Sequence, residues 1–214
     1  MRNQVAFHNA KPYPSRVGHL ALSLGKDYVN ANKSLSIAKN NSKRIIRWIP
    51  PREGFCKINF DGSIKDSMAA AGFVLRDVCG VPVVAGARRL GLTSINVAEC
   101  LALRDAPWVA RSKGLKKISV EGDSKLVVEA VVSKCSVPWR LMSIIEDIRC
   151  IANFFDCISW SHIFCEKNFV ADAVTSIGFQ FGNLHIWDRP YPAVAYRALL
   201  FDFPGSGCSR GDSL

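Results

Sequence analysis

The apolar pattern of this chain changes period once, near residue 96, and that change limits the folds open to it. Before it come three β-compatible runs. Cys56, Ile58 and Phe60 alternate with Lys57, Asn59 and Asp61, the two-residue period of a half-buried strand. Met68 to Leu75 is small and apolar, Arg76-Asp77-Val78-Cys79-Gly80 reads as a turn, and Val81 to Ala87 gives a third strand. Asp61-Gly62 is expected to turn the chain or end the first strand. After the change, apolar residues fall at helical spacing. Asn96 to Arg111 carries them at 97, 98, 101, 102 and 109, with Asn96 as the candidate cap. Pro107 is expected to kink or end that helix near Asp105. A strand at 116–121, helices at 124–132 and 139–153, a fifth strand at 157–164 and a last helix from 168 to about 181 complete the pattern. The order β-β-β-α-β-α-α-β-α predicts an α/β fold, a mixed five-stranded sheet with helices on both faces.

The 214 residues allow one sizeable domain with flanking segments. Residues 48–182 are read as that domain. The prolines of Trp48-Ile49-Pro50-Pro51-Arg52-Glu53-Gly54 predict an extended lead-in to the first strand. Residues 1–47 lack sustained periodicity and are read as a flexible basic arm, and residues 183–214 as a loosely packed C-terminal extension. The net charge of +10 is uneven: residues 1–50 hold nine basic residues and one acid, whereas 51–182 hold sixteen and fourteen. The arm suits a polyanionic partner or a solvated tail, and the folded part is nearly balanced. No run approaches the roughly 18 uninterrupted apolar residues of a membrane-spanning helix, so no membrane association is expected. Eight cysteines without a C-x-x-C pair argue against zinc and for small buried hydrophobes in a reducing compartment. The expected location is intracellular, nucleus or cytoplasm. No apolar segment follows Arg2 as in a secretory signal, while the acid-poor arm is also compatible with an organelle transit peptide.

Four acids recur at the ends of predicted elements or one turn inside them: Asp61, Glu99, Asp123 and Asp172. Each alone has a local explanation. Asp-Gly marks turns, Asp123 before Ser124 resembles a helix cap, and Glu99 and Asp172 suit the positive end of a helix. Their conjunction points further. The predicted topology sets the strand before Asp123 beside the strand of Asp61, and two helices bring Glu99 and Asp172 over the same region. Four carboxylates converge only with cations to offset their repulsion. Hard divalent ions with oxygen ligands do this, and magnesium is typically held by one or two carboxylates plus substrate phosphate.

Four blocks occur in order: Phe60-Asp61-Gly62-Ser63, Ala98-Glu99-Cys100-Leu101-Ala102-Leu103, Val120-Glu121-Gly122-Asp123-Ser124, and His162 through Asn168 to Ala171-Asp172. Together they resemble type 1 ribonuclease H, and more narrowly the plant ribonuclease H-like domains related to retrotransposon reverse transcriptases. The 48–54 lead-in and Gly72-Phe73-Val74-Leu75-Arg76-Asp77 to Gly80 are similar to that subgroup as well. The resemblance covers about 48–182. It implies an endoribonuclease that cuts the RNA strand of RNA–DNA hybrids and leaves a 3′-hydroxyl and a 5′-phosphate. Asp61 would bridge two Mg2+ ions, with Mn2+ as a substitute. Glu99 and Asp123 would complete the ligands of one ion and Asp172 those of the other. His162 would assist proton transfer and product release. Gly62, Ser63 and Glu99 would read 2′-hydroxyls in the shallow groove of the hybrid, and Asn168 would join them in substrate binding. No dedicated small-molecule cofactor is implied.

The chain departs from that pattern in three places. Cys165 stands where family members commonly carry Arg, and Pro107 is unusual within its helix. The 133–160 segment holds only Lys134, Arg140 and Arg149, where some bacterial members insert a basic protrusion. Weak, strongly salt-dependent hybrid binding is therefore expected. Two other readings follow from the same residues: a catalytically weak or silent domain of this fold that binds nucleic acid or a protein, and a related nuclease acting on another polynucleotide.

Overall fold

The computed structural model describes residues 45–188, 190–202 and 208–209, so the expected basic arm, apart from its last three residues, lies outside the described residues. Six strands form one mixed sheet: β2 (Cys56–Lys65), β3 (Met68–Arg76), β4 (Pro82–Gly91), β5 (Lys117–Gly122), β6 (Cys157–His162) and β7 (His185–Trp187), in the order β6-β5-β2-β3-β4-β7. The β2, β3, β4 and β7 neighbours pair antiparallel, and β5 pairs parallel with both β2 and β6. A separate antiparallel ladder joins β1 (Ile45–Ile46) to β8 (Cys208–Ser209). The helices are α1 (Ile95–Ser112), α2 (Lys125–Val131), α3 (Met142–Ala152), α4 (Phe169–Gly178) and α5 (Ala193–Asp202).

The β2–β3 hairpin turns on two residues, Asp66 and Ser67, both left-handed at φ 49° and 63°. Such a turn matches the right-handed twist of the strands it joins. The pairing runs the length of both strands, with Asp61 opposite Gly72 and Lys65 opposite Met68. Asp61-Gly62 therefore does not end the first strand: Asp61 lies within β2, because Ala69 to Ala71 supply ladder partners beyond it.

The sheet is buried on both faces. Ile58, Phe60, Phe73, Leu75, Ile118 and Val120 pack with Leu103 and Ala106 of α1, Val127 of α2, and Ile145 and Ile148 of α3. Val74, Ala85 and Ala87 on the other face pack with Val170 and Val174 of α4, and Ala195, Ala198 and Leu199 of α5. Each large aliphatic side chain buried this way contributes about 1.5–3 kcal/mol.

Two features of α1 differ from expectation. Ser94, not Asn96, is the cap, its Oγ accepting the Val97 amide at 3.4 Å. The helix also runs through Pro107 to Ser112. The missing donor at Pro107 is outweighed by a buried face that continues on both sides of it, through Leu103, Ala106, Val109 and Ala110.

The sheet has six strands rather than five. Trp187 pairs with Ala85 and His185 with Ala87, adding β7 at the edge. A three-residue strand is too short to show a period. Part of the 183–214 stretch, read from sequence as a loosely packed extension, supplies this strand and α5. Tyr191 in that stretch is buried and donates its hydroxyl to the Pro82 carbonyl at 2.5 Å.

Arg76 is fully buried. Its guanidinium lies 3.7 Å from the Trp48 ring centroid, donates to Asn59 Oδ1 at 2.8 Å and pairs with Asp202 at the end of α5. Trp48 donates to the same Asn59 oxygen at 3.0 Å. Lys57 donates to the Ile49 carbonyl at 2.7 Å and to Glu121 at 2.5 Å. The proline-stiffened lead-in is thus held against β2, two residues from Asp61.

Candidate active site

The parallel strands β2 and β5 stay paired through Asn59–Glu121. Beyond that pair β5 ends at Gly122, while β2 continues to Lys65. The two strands part at the carboxyl end of β5, the usual place for a site in sheets with parallel strands. Asp61 reaches it from β2 and Asp123 from the first position past β5.

Glu99 comes from the first turns of α1. The helix lies directly on Gly62, where a Cβ would sit 2.5 Å from the Glu99 amide nitrogen and 2.8 Å from the Ala98 carbonyl carbon. Only glycine permits that approach. On the opposite face α4 crosses Gly72, the β3 residue paired with Asp61. A Cβ there would lie 2.5 Å from Thr175 Oγ1 and 2.6 Å from the Thr175 backbone.

Carboxylate oxygens of Asp61, Glu99 and Asp123 lie within 4.8 Å of one another. Asp61 Oδ2 and Glu99 Oε2 are buried and have no hydrogen-bond partner among the described residues. Burial, then the Asp123 and Asp172 charges, push the Asp61 carboxyl up to about 8. Burial, then Asp61 and Asp123, push Glu99 up to about 9. Hydrogen bonds from the Gly62 backbone oppose both shifts. Burial also raises Asp123, against hydrogen bonds from its own backbone and from Asn168. Three hard oxygen donors, two of them orphaned, fit a divalent cation.

The other residues singled out from sequence lie around this cluster. Asp172, exposed in the first turn of α4, is outside the three-oxygen group, but its charge acts on Asp61 and Asp123. Asn168 precedes α4 without a side-chain capping bond. Its amide instead donates to the Phe60 carbonyl at 2.9 Å and to Asp123 Oδ1 at 3.1 Å, tying helix to strand. His162 ends β6 with an exposed ring, Nε2 lying 3.1 Å from the Asp123 carbonyl. A carbonyl only accepts, so this nitrogen carries the proton. Ser63 is half-buried beside Gly62 and pairs with Ala70. Cys165 is exposed, its thiol 3.3 Å from Glu166 Oε2.

Sequence reading missed Thr175. It is fully buried, with Oγ1 2.8 Å from the Ala171 carbonyl and 3.2 Å from the Asp61 carbonyl. The available signal was weak: Thr175 and Ser176 are adjacent small polar residues three and four positions after Asp172, and only the first is buried.

Residues 59–177 match the family described as reverse transcriptase-like. An Arabidopsis thaliana protein provisionally named a ribonuclease H protein is 24% identical over 162 residues, 74% of this chain. The chain spans about a quarter of that relative's length, 26%. Among solved structures, ribonuclease H1 of the halophilic archaeon Halobacterium salinarum is 28% identical with a TM-score of 0.55, covering 58% of this chain and 96% of that one. LC11-RNase H1, isolated from compost by a metagenomic approach and solved with an RNA/DNA hybrid, is 25% identical with a TM-score of 0.54 at the same coverages, 58% and 96%. The N-terminal ribonuclease H domain of a Mycobacterium tuberculosis protein, at 23% identity and a TM-score of 0.56 over 59% of this chain and 94% of that one, shares the fold. With more than half of its length matched and this sheet order beneath the acid cluster, the chain belongs to the reverse transcriptase-like family and has the ribonuclease H fold.

Proposed function

We propose that the chain is a divalent-cation-dependent endoribonuclease that hydrolyses the RNA strand of RNA–DNA hybrids. One observation carries this reading: three carboxylates from β2, α1 and the end of β5 meet within 4.8 Å, with two buried oxygens left unpartnered. Isolated buried acids of one sign are costly, and cations relieve that cost.

Asp61, Glu99 and Asp123 would hold the metal, with Asp172 approaching from the rim, and two Mg2+ ions, or Mn2+ in their place, suit this oxygen set. When bound, such ions lower the pKa of an attacking water and stabilise charge developing at phosphorus. The protein's own groups do the rest. Asn168 holds the Asp123 carboxylate against β2. The Gly62 backbone steadies Asp61 and Glu99. His162, anchored through Nε2, presents Nδ1 as the acceptor of the neutral ring, a rim position suited to proton transfer. Hybrid recognition would fall to Gly62, Ser63, Glu99 and Asn168 along the same crevice, and the hybrid-bound LC11-RNase H1 relative supports that partner.

A catalytically weak domain of the same fold that binds hybrid is the second reading. It is favoured by the exposure of Asp172 outside the three-oxygen group and by the uncharged Cys165. The test is cleavage of labelled RNA–DNA hybrid in magnesium at low salt, with Asp61→Asn in parallel. Wild type is expected to cut and the variant to lose at least ~100-fold in rate, as for removal of a principal electrostatic group. Hybrid binding by wild type without cleavage would select the second reading.

A further inference from the structure

We propose that Thr175 is a positioning residue for the acid cluster, its hydroxyl setting where α4 rests against Asp61. The inference deepens the nuclease reading and rests on it. The hydroxyl has one proton and two carbonyls in reach, Ala171 at 2.8 Å on its own helix and Asp61 at 3.2 Å on β2. Both oxygens only accept, so Thr175 must donate, and its proton is shared between helix and strand.

The seam around it is closely packed. Gly72, opposite Asp61, has no side chain, and Thr175 fills that space with its oxygen and backbone at 2.5–2.6 Å from where a Cβ would stand. The helix therefore lies on the strand backbone at this point, and Thr175 is fully buried. Thr175 and Asp172 are three residues apart on α4, on neighbouring positions of one face. Fixing Thr175 on Asp61 thereby sets how far the exposed Asp172 stands from Asp61, Glu99 and Asp123. Valine would keep the shape and lose the donor. Serine would keep the donor and lose a methyl.

The experiment measures Mn2+ affinity by the resonance signal of free Mn2+, the melting temperature of the metal-free chain, and kcat and KM on hybrid. Thr175→Val is expected to weaken Mn2+ binding about tenfold, the usual effect of removing a partner behind a ligand. It should lower kcat with KM little changed, while Thr175→Ser restores both affinity and kcat. Thr175→Ala, which leaves the seam open, serves if the valine chain does not fold. Wild-type Mn2+ affinity in the hydroxyl-free variant, or failure of serine to rescue, overturns the proposal while leaving the nuclease reading intact. Failure of the wild-type chain to bind Mn2+ overturns both.

Discussion

Asp61 and Glu99 sit in the fold as acids that hold their protons far longer than they would in water. Their carboxyls move from 3.8 to about 8 and from 4.5 to about 9. The folded chain thus keeps protons that the unfolded chain releases. Their contribution to stability is fully present below the unfolded values and is lost as pH rises through the folded ones. The metal-free chain is expected to melt at progressively lower temperature between about pH 5 and 9. Saturating magnesium should remove most of that slope, because the cation takes the protons' place. Asp61→Asn should raise the metal-free melting temperature at pH 8 by a few degrees, flatten its pH dependence and abolish stabilisation by the cation. A melting series across pH, with and without magnesium, reads all three. The identity and order of the acids were legible in the sequence, because Glu99, Asp123 and Asp172 sit beside a strand end or a helix start that local pattern marks, whereas Asp61 stands inside β2, past the turn its Asp-Gly pair suggests. The exposure of Asp172 and the role of Thr175 were not, because both depend on where α4 lands on the sheet.

The elements that carry these residues come close because a side chain is missing. At Gly62 the α1 backbone stands where a Cβ would be, 2.5 Å from the Glu99 nitrogen. Gly62→Ala must push α1 away from β2. It is expected to cost about 1–3 kcal/mol, as for other overpacked contacts, and to weaken cation binding because Glu99 moves with the helix. Urea unfolding and Mn2+ titration of the same variant test the two parts separately. The type and order of the main strands and helices were read correctly from sequence, although the first strand is buried on both faces, Lys57, Asn59 and Asp61 included, rather than on one. Where the expectation failed, a non-local partner overrode a local rule. Asp-Gly reads as a turn, yet Ala69 to Ala71 keep the ladder going past it. Proline reads as a break, yet the buried face around Pro107 keeps α1 whole. Ser94 caps α1 one turn ahead of Val97, a choice that Asn96 nearby made hard to see.

At the scale of the whole molecule, the lead-in and α5 meet at Arg76 of β3, beside Asn59 of the strand that carries Asp61. Trp48 from the lead-in and Asp202 from α5 enclose the Arg76 guanidinium, and Asn59 joins them. Burial lowers the pKa of Arg76 and the Asp202 charge raises it, so the pair is needed to keep that charge inside. Asp202→Ala would leave a buried cation without its partner and is expected to destabilise the chain by about 3–5 kcal/mol, read as a fall in the unfolding midpoint. Replacing both residues by apolar ones of similar volume should recover most of the loss. No local pattern signals this arrangement: one acid among residues 183–214 carries no period, and its partner lies 126 positions earlier.

The two bare positions on either side of the central strand have a consequence for how such a chain can vary over time. At Gly62 and Gly72 the helices rest on main chain rather than on interchangeable hydrocarbon. Aliphatic residues elsewhere in the interior can be exchanged and resettle without changing these two points of contact. The distances among the acid oxygens are thus insulated from drift in the surrounding hydrophobic residues.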